Sequence, residues 1–180
     1  MRSYSIEEIH RCFSRSGDFN EILDAFQAAL AMKLRDPENY RSLFWNRSLS
    51  SDEICFFGEK LAAELPEHSY DVVLWIASVF EVMHSSEDNY DLALRYYMRA
   101  AELKPDQPGP YLSACECYDP DLNIPPVQVL IEFVKRGLPH VADPGLLYNR
   151  LALLCELSGD PEQGAIYRGK AGEKKRGTEG

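Results

Sequence analysis

Long apolar runs are missing from this chain. The longest purely apolar stretch is Val72 to Ala77, far short of the ~20 residues a membrane-spanning helix needs, so no membrane insertion is expected. The first ten residues, MRSYSIEEIH, set Glu7 and Glu8 where a secretory signal would need an apolar core. Cysteines number five, an odd count that suits no disulfide framework. The expectation is a cytoplasmic protein with reduced thiols. Basic residues are also scarce: 19 Lys and Arg against 29 Asp and Glu leave a net charge of −10. Such a surface repels phosphate backbones and anionic membranes. Nucleic acid is therefore not an expected partner, and another protein is. No Asn-Gly or Asp-Gly pair separates alternating segments in the manner of a hairpin. Helix-compatible stretches dominate, and the fold class read from them is all-α.

What is present is a repeat. Asn89 to Pro105 reads Tyr90-x-x-Ala93-x-x-x-Tyr97-x-x-Ala100-x-x-x-x-Pro105. Ala93 and Ala100 leave room for a neighbouring helix to approach, Tyr97 fills the gap between them, and Pro105 ends the unit. This spacing resembles the second helix of a tetratricopeptide (TPR) repeat. Related frames recur at Ile6 to Leu30, Tyr40 to Pro66, Tyr111 to Pro139 and Tyr148 to Ala171. The positions equivalent to Ala93 are Ile22, Ile54, Val127 and Gly164, and the successive intervals of 32, 39, 34 and 37 residues scatter around a repeat of about 34. The resemblance implies a superhelical stack of about five antiparallel helix pairs over residues 1–171, with repeats near 3–36, 37–69, 70–106, 107–141 and 142–171. A disordered polar tail is expected over 172–180, GEKKRGTEG.

Motifs that could carry chemistry read better as structure. Gly164 to Lys170 has the spacing of a phosphate-binding loop, but Ala171 stands where the magnesium-holding hydroxyl belongs and no strand precedes it. Asp119-x-Asp121-x-Asn123 opens like a calcium loop, yet Ile124 and Leu130 occupy the required Gly and Glu positions. It reads as a capped turn. Cys115 and Cys117, taken as lying on one helix, diverge by about 200° and cannot share a metal ion. Cys115 reads as a small core residue. His10, His68, His84 and His140 fall in different repeats or turns, none at a catalytic spacing, and His10 reads as a packing or surface residue. Asn46-Arg47-Ser48 fits a glycosylation sequon, but a cytoplasmic protein would not meet the transferase, so no modification is expected there. No catalytic constellation, metal site or cofactor is expected.

If the first helix of each pair lines the inner surface, the frame selects the partner-binding side chains. These are Tyr4, Arg11, Arg41, Trp45, Leu74, Trp75, Ser78, Leu112, Glu116, Asn149 and Arg150, with Glu7, Glu8, Ser42, Ser113 and Leu153 beside them. Both tryptophans of the chain fall on this face. A half-exposed Trp is a strong anchor for a partner segment, and truncating one commonly costs about 2 kcal/mol. Trp75, inside VVLWIA, has packing between repeats as its alternative.

A narrower resemblance rests on NYDLALRYYMRAAELKPDQPGPYLSACECY. Asp106-Gln107-Pro108 follows the Tyr90–Tyr97 helix, and Ala114-Cys115-Glu116-Cys117-Tyr118 follows in turn. This arrangement is similar to class II chaperones of type III secretion systems. It implies a client segment held in the groove against Trp45, Leu74, Trp75, Leu112 and Glu116, and a homodimer through the N-terminal helices. The central Leu-Gly of that family is Ile76-Ala77 here, and a longer turn, Met83 to Asn89, follows. The general TPR implication is a scaffold, adaptor or regulatory subunit.

Overall fold

The computed structural model describes residues 4–82 and 88–177, the side chains of 88 and 173–177 excepted. Every named element is helical: α1 (Ile6–Arg15), α2 (Phe19–Ala31), α3 (Arg41–Phe44), α4 (Ser51–Glu64), α5 (Ser69–Val82), α6 (Asp88–Leu103), α7 (Gly109–Ala114), α8 (Val127–Gly137), α9 (Gly145–Leu157) and α10 (Pro161–Gly177). Taken in order they are five pairs. Among the described residues no helix is long and apolar enough to cross a membrane. The chain divides into two compact units, residues 1–79 and 80–180, with the division inside α5.

Local chemistry sets the helix starts. Ser5 and Ser50 each form a capping box, with the serine Oγ accepting from the amide of Glu8 or Glu53 and that glutamate accepting from the serine amide. Two otherwise orphaned N–H groups are satisfied at each end. Asp18 and Asp36 accept from the amides of Asn20 and Glu38 to start α2 and the 3₁₀ turn Pro37–Tyr40 that leads into α3. Gly159, at φ +84°, reverses the chain after α9, a conformation that glycine adopts without steric cost.

In the first unit the core is aromatic. Phe13, Phe26, Tyr40 and Phe57 are fully buried. Phe26 lies 5.6 Å from Tyr40 and 5.2 Å from Phe57, ring centre to ring centre, and Phe13 lies 5.9 Å from Tyr40. Gly58 admits a close approach: a Cβ there would stand 2.1 Å from Ile76 Cδ1 and 2.9 Å from Cγ1.

The second unit is built on small residues at the helix contacts. Ala93, Tyr97 and Ala100 share the buried face of α6, as their spacing requires. A Cβ on Gly137 would meet Tyr111 and Leu147 at 3.0 Å, and one on Gly164 would meet the carbonyl oxygen of Ala152 at 3.0 Å. Gly164 is therefore a helix-packing glycine of α10 against α9, and the whole Gly164–Lys170 segment lies within that helix.

Several expectations are revised. Asn46, the first residue of the dismissed sequon, proves to be structural: it is 6 % exposed, and its Nδ2 donates to the carbonyls of Phe13 and Ser16 at 2.9 and 3.0 Å. Its Oδ1 accepts from the amide and hydroxyl of Ser48. Cys115 and Cys117 lie in a 3₁₀ turn, Cys115–Cys117, because α7 ends at Ala114 and Tyr118 is already extended. The polar tail set at 172 begins inside α10, which runs to Gly177; residues 178–180 lie outside the described residues. So do His84 and most of the Met83–Asn89 turn, of which Asp88 and Asn89 open α6.

Candidate partner-binding faces

In the first unit α1 and the Pro37–Trp45 segment enclose an open recess of 460 Å³. Its walls come from His10 and Ser14 of α1, Glu38 and Asn39 of the 3₁₀ turn, and Arg41, Ser42 and Trp45. Asn46 explains why Trp45 stands where it does. The last carbonyls of α1 have no intrahelical partner, and the buried Asn46 amide ties two carbonyls from its end to the end of α3. Trp45, the residue before, is left 47 % exposed. His10 Nε2 lies 3.3 Å from Asn39 Oδ1, which couples the two walls. The Arg41 guanidinium sits 5.9 Å from the Trp75 ring centre and 3.4 Å from a Glu38 carboxylate oxygen. Both groups of that ion pair are well exposed, so it contributes little stability, and Arg41 is free to turn toward a ligand.

Of the sequence-selected residues in this unit, Arg41, Ser42 and Trp45 meet in the recess. Leu74, Trp75 and Ser78 are half-buried on α5. Arg11 is exposed on α1 but outside the recess walls, which use His10 and Ser14 one residue round the helix. Tyr4 is a correction: it is 8 % exposed. It precedes the N-cap Ser5, the position from which an apolar side chain folds back over the first turn, so it packs instead of facing a ligand.

In the second unit Leu112 is half-buried while Glu116 and Asn149 are exposed. Arg150, on α9, donates to Glu116 Oε1 in the turn after α7. A second recess, of 430 Å³, joins Glu116 to Glu81, Tyr90, Tyr118, Asp119 and Asp121. The carboxylates of Glu116, Glu81 and Asp119 already have partners within the chain. Tyr97 donates to Glu81, and Asp119 Oδ1 accepts from the amides of Asp121 and Leu122 at 2.9 and 3.1 Å. Asp119 and Ile124 also bridge through their backbones, which is the capped turn the sequence suggests. Neither His10 nor Asn39 was selected from sequence, because the recess depends on a 3₁₀ turn with no repeat signature.

The cysteines beside this face are unsuited to nucleophilic chemistry. Burial pushes the thiols of Cys115 and Cys117 up to about 12, with Arg150 opposing the shift at Cys115 and Glu81 adding to it at Cys117. Cys115 Sγ donates to the Tyr111 carbonyl at 3.2 Å. The thiolate is the reactive form, so both groups are inert near neutrality.

No protein-family model and no curated protein sequence matches the chain. Solved structures do. One crystal structure of MamA aligns with a TM-score of 0.55 at 19 % identity, covering 90 % of this chain and 91 % of that one. A second gives 0.55 at 19 % over 94 % and 93 %. A MamA double mutant gives 0.53 at 18 % over 96 % and 94 %. At such identities the likeness concerns the fold, an all-helical arrangement of TPR type.

Proposed function

We propose that this protein is a non-catalytic, TPR-like scaffold that binds a segment of a partner protein against the Trp45 face of its first unit. The observation that carries the reading is an aromatic side chain 47 % exposed at the wall of a 460 Å³ recess, held there by a buried hydrogen-bonded Asn. Isolated exposed apolar residues are ordinary. An exposed Trp braced from behind, with Arg41, His10 and Asn39 around it, has the make-up of an interface anchor, a large ring within reach of polar groups. The non-catalytic part is supported by the structural uses found for three candidate features: Cys115 and Cys117 are buried thiols, Gly164 packs α10 against α9, and the Asp119 carboxylate closes a turn.

The general scaffold is favoured over the type III translocator chaperone. The full-length likeness to MamA structures supports a TPR-type fold without supporting that narrower role, which rests on the Tyr90–Tyr118 resemblance alone. Homodimerisation through α1 and a cytoplasmic location belong to the same proposal.

The test places a photo-crosslinking amino acid at position 45 and captures partners in the native host beside a Trp45→Ala variant. One partner segment should crosslink through position 45, and Trp45→Ala should weaken its binding by about 30-fold at unchanged thermal stability. Equal capture by a folded Trp45→Ala protein would overturn the assignment.

A further inference from the structure

A third cavity lies in the second unit, where α6, the start of α7 and the end of α8 meet. It has a volume of 180 Å³. Its floor is apolar: Ala101, Tyr111 and Phe133 are buried, and half-buried Met98 closes one side. The Tyr111 and Phe133 rings pack 4.9 Å apart, and the Tyr111 hydroxyl already donates to the Pro105 carbonyl at 3.2 Å. The floor therefore offers no unsatisfied polar group. The rim is charged and polarised, with exposed Glu102 on the α6 side and exposed Arg136 and His140 on the α8 side. Arg136 stacks 5.6 Å above the Phe133 ring centre, which holds its charge at the lip of the apolar floor.

Size limits the occupant. A drug-sized ligand needs roughly 300 Å³ or more, whereas an apolar hole of about 150 Å³ accommodates one benzene ring. The volume fits one leucine- or phenylalanine-sized side chain. Charge limits it further, because a carboxylate beside that side chain would meet the Arg136 guanidinium and an imidazole N–H at the edge of the apolar floor, a favourable pairing. A basic neighbour there would be repelled by Arg136.

We infer that this cavity is a second docking site, separate from the Trp45 recess, for an internal partner segment carrying an apolar side chain next to an aspartate or glutamate. The apolar residue fills the space over Phe133 and Tyr111, and the acidic neighbour reaches Arg136 and His140. Glu102 discriminates against a further acidic residue on the α6 side. The site uses no residue of the Trp45 recess, so either can fail alone.

The test uses the full chain with ¹³C-labelled methionine methyls, Met98 being the reporter in the wall. The probe is the blocked peptide acetyl-Gly-Ser-Gly-Glu-Phe-Gly-Ser-Gly-amide, with versions in which Gln replaces Glu or Ala replaces Phe. The Glu-Phe peptide should shift the Met98 signal saturably with a Kd of about 1 mM or tighter. The Gln version should bind roughly ten-fold more weakly, and the Ala version should not bind. Arg136→Gln should narrow the difference between the Glu and Gln peptides, a result that packing alone would not produce. Ala101→Phe should fill the cavity and abolish the shift. If Ala101→Phe does not fold, the Arg136→Gln comparison decides. Lack of a saturable shift at several millimolar, equal binding of the Glu and Gln peptides, or an undiminished preference in Arg136→Gln would each overturn the inference.

Discussion

The two units share two packing devices, bulky rings and close approach at small residues, and lean on them to different degrees. In the first, bulky rings fill the space between helices: Phe13, Phe26, Tyr40 and Phe57 are all fully buried. In the second, missing atoms allow the helices to close up, through Ala93, Ala100, Gly137 and Gly164. The first should therefore be sensitive to truncation and the second to enlargement, because a void and an overlap are penalised by different physics. Gly58, pressed against Ile76, shows that the first unit uses the second device at one contact.

The largest effect expected is from Phe57→Ala, which removes a ring touching Phe19, Phe26 and Phe56 and should cost about 4 kcal/mol. Gly137→Val in the second unit should cost about 2 kcal/mol, since even a Cβ there meets Tyr111 and Leu147 at 3.0 Å. Both tryptophans, Trp45 and Trp75, lie in the first unit, so their emission in urea follows that unit, while hydrogen exchange in α8 and α9 follows the second. If Gly137→Val proved harmless while Phe57→Ala kept its effect, the close-packed account of the second unit would fall.

Alkaline pH separates the units next. The thiols of Cys115 and Cys117 move from 9.0 to about 12 and the Tyr40 hydroxyl from 10.0 to about 12, burial being the main cause at each. A raised pKa on a group that is neutral when protonated means that the folded state holds its proton longer than the unfolded chain. Its contribution is intact below the unfolded pKa and is lost as pH rises toward the folded one. Stability should fall above pH 9 in the second unit and above pH 10 in the first. At pH 10 the two thiols together should cost about 3 kcal/mol relative to pH 8. Cys115→Ala with Cys117→Ala should flatten the fall in the second unit's exchange protection and leave tryptophan emission unaffected between pH 9 and 10. A fall of equal slope in that variant would show that other groups carry it.

The same contrast explains what the sequence shows and what it conceals. Small residues at fixed spacing are a local signal, so Ala93, Tyr97 and Ala100 reveal their helix face, and Ile22, Ile54 and Gly164 are buried at the equivalent positions. The Asp119–Asn123 turn is also legible, since its bonds join near neighbours. Asn46 is not legible: it binds carbonyls 30 and 33 residues away, and nothing adjacent to it announces that. The recess depended on the same hidden bonds, so Trp45 and Arg41 could be selected while His10 and Asn39 could not. Tyr4 fails for a related reason, because a helix frame extended past the N-cap no longer gives the direction of a side chain.

The smallest expected effect concerns a pair of sequence-selected residues that meet in the second unit. Arg150 donates to Glu116 with side chains 25 % and 56 % exposed, and a pair so hydrated should couple by about 0.5 kcal/mol. A double-mutant cycle of Glu116→Gln and Arg150→Gln in urea measures that coupling directly. A value near the expected one means the pair can open at little cost and expose an arginine or a glutamate to a ligand. A coupling of 2 kcal/mol or more would mean that α9 is tied to the turn after α7. In that case the Glu116–Arg150 face is part of the scaffold, and partner binding must be sought at Trp45 and at the Phe133 cavity instead.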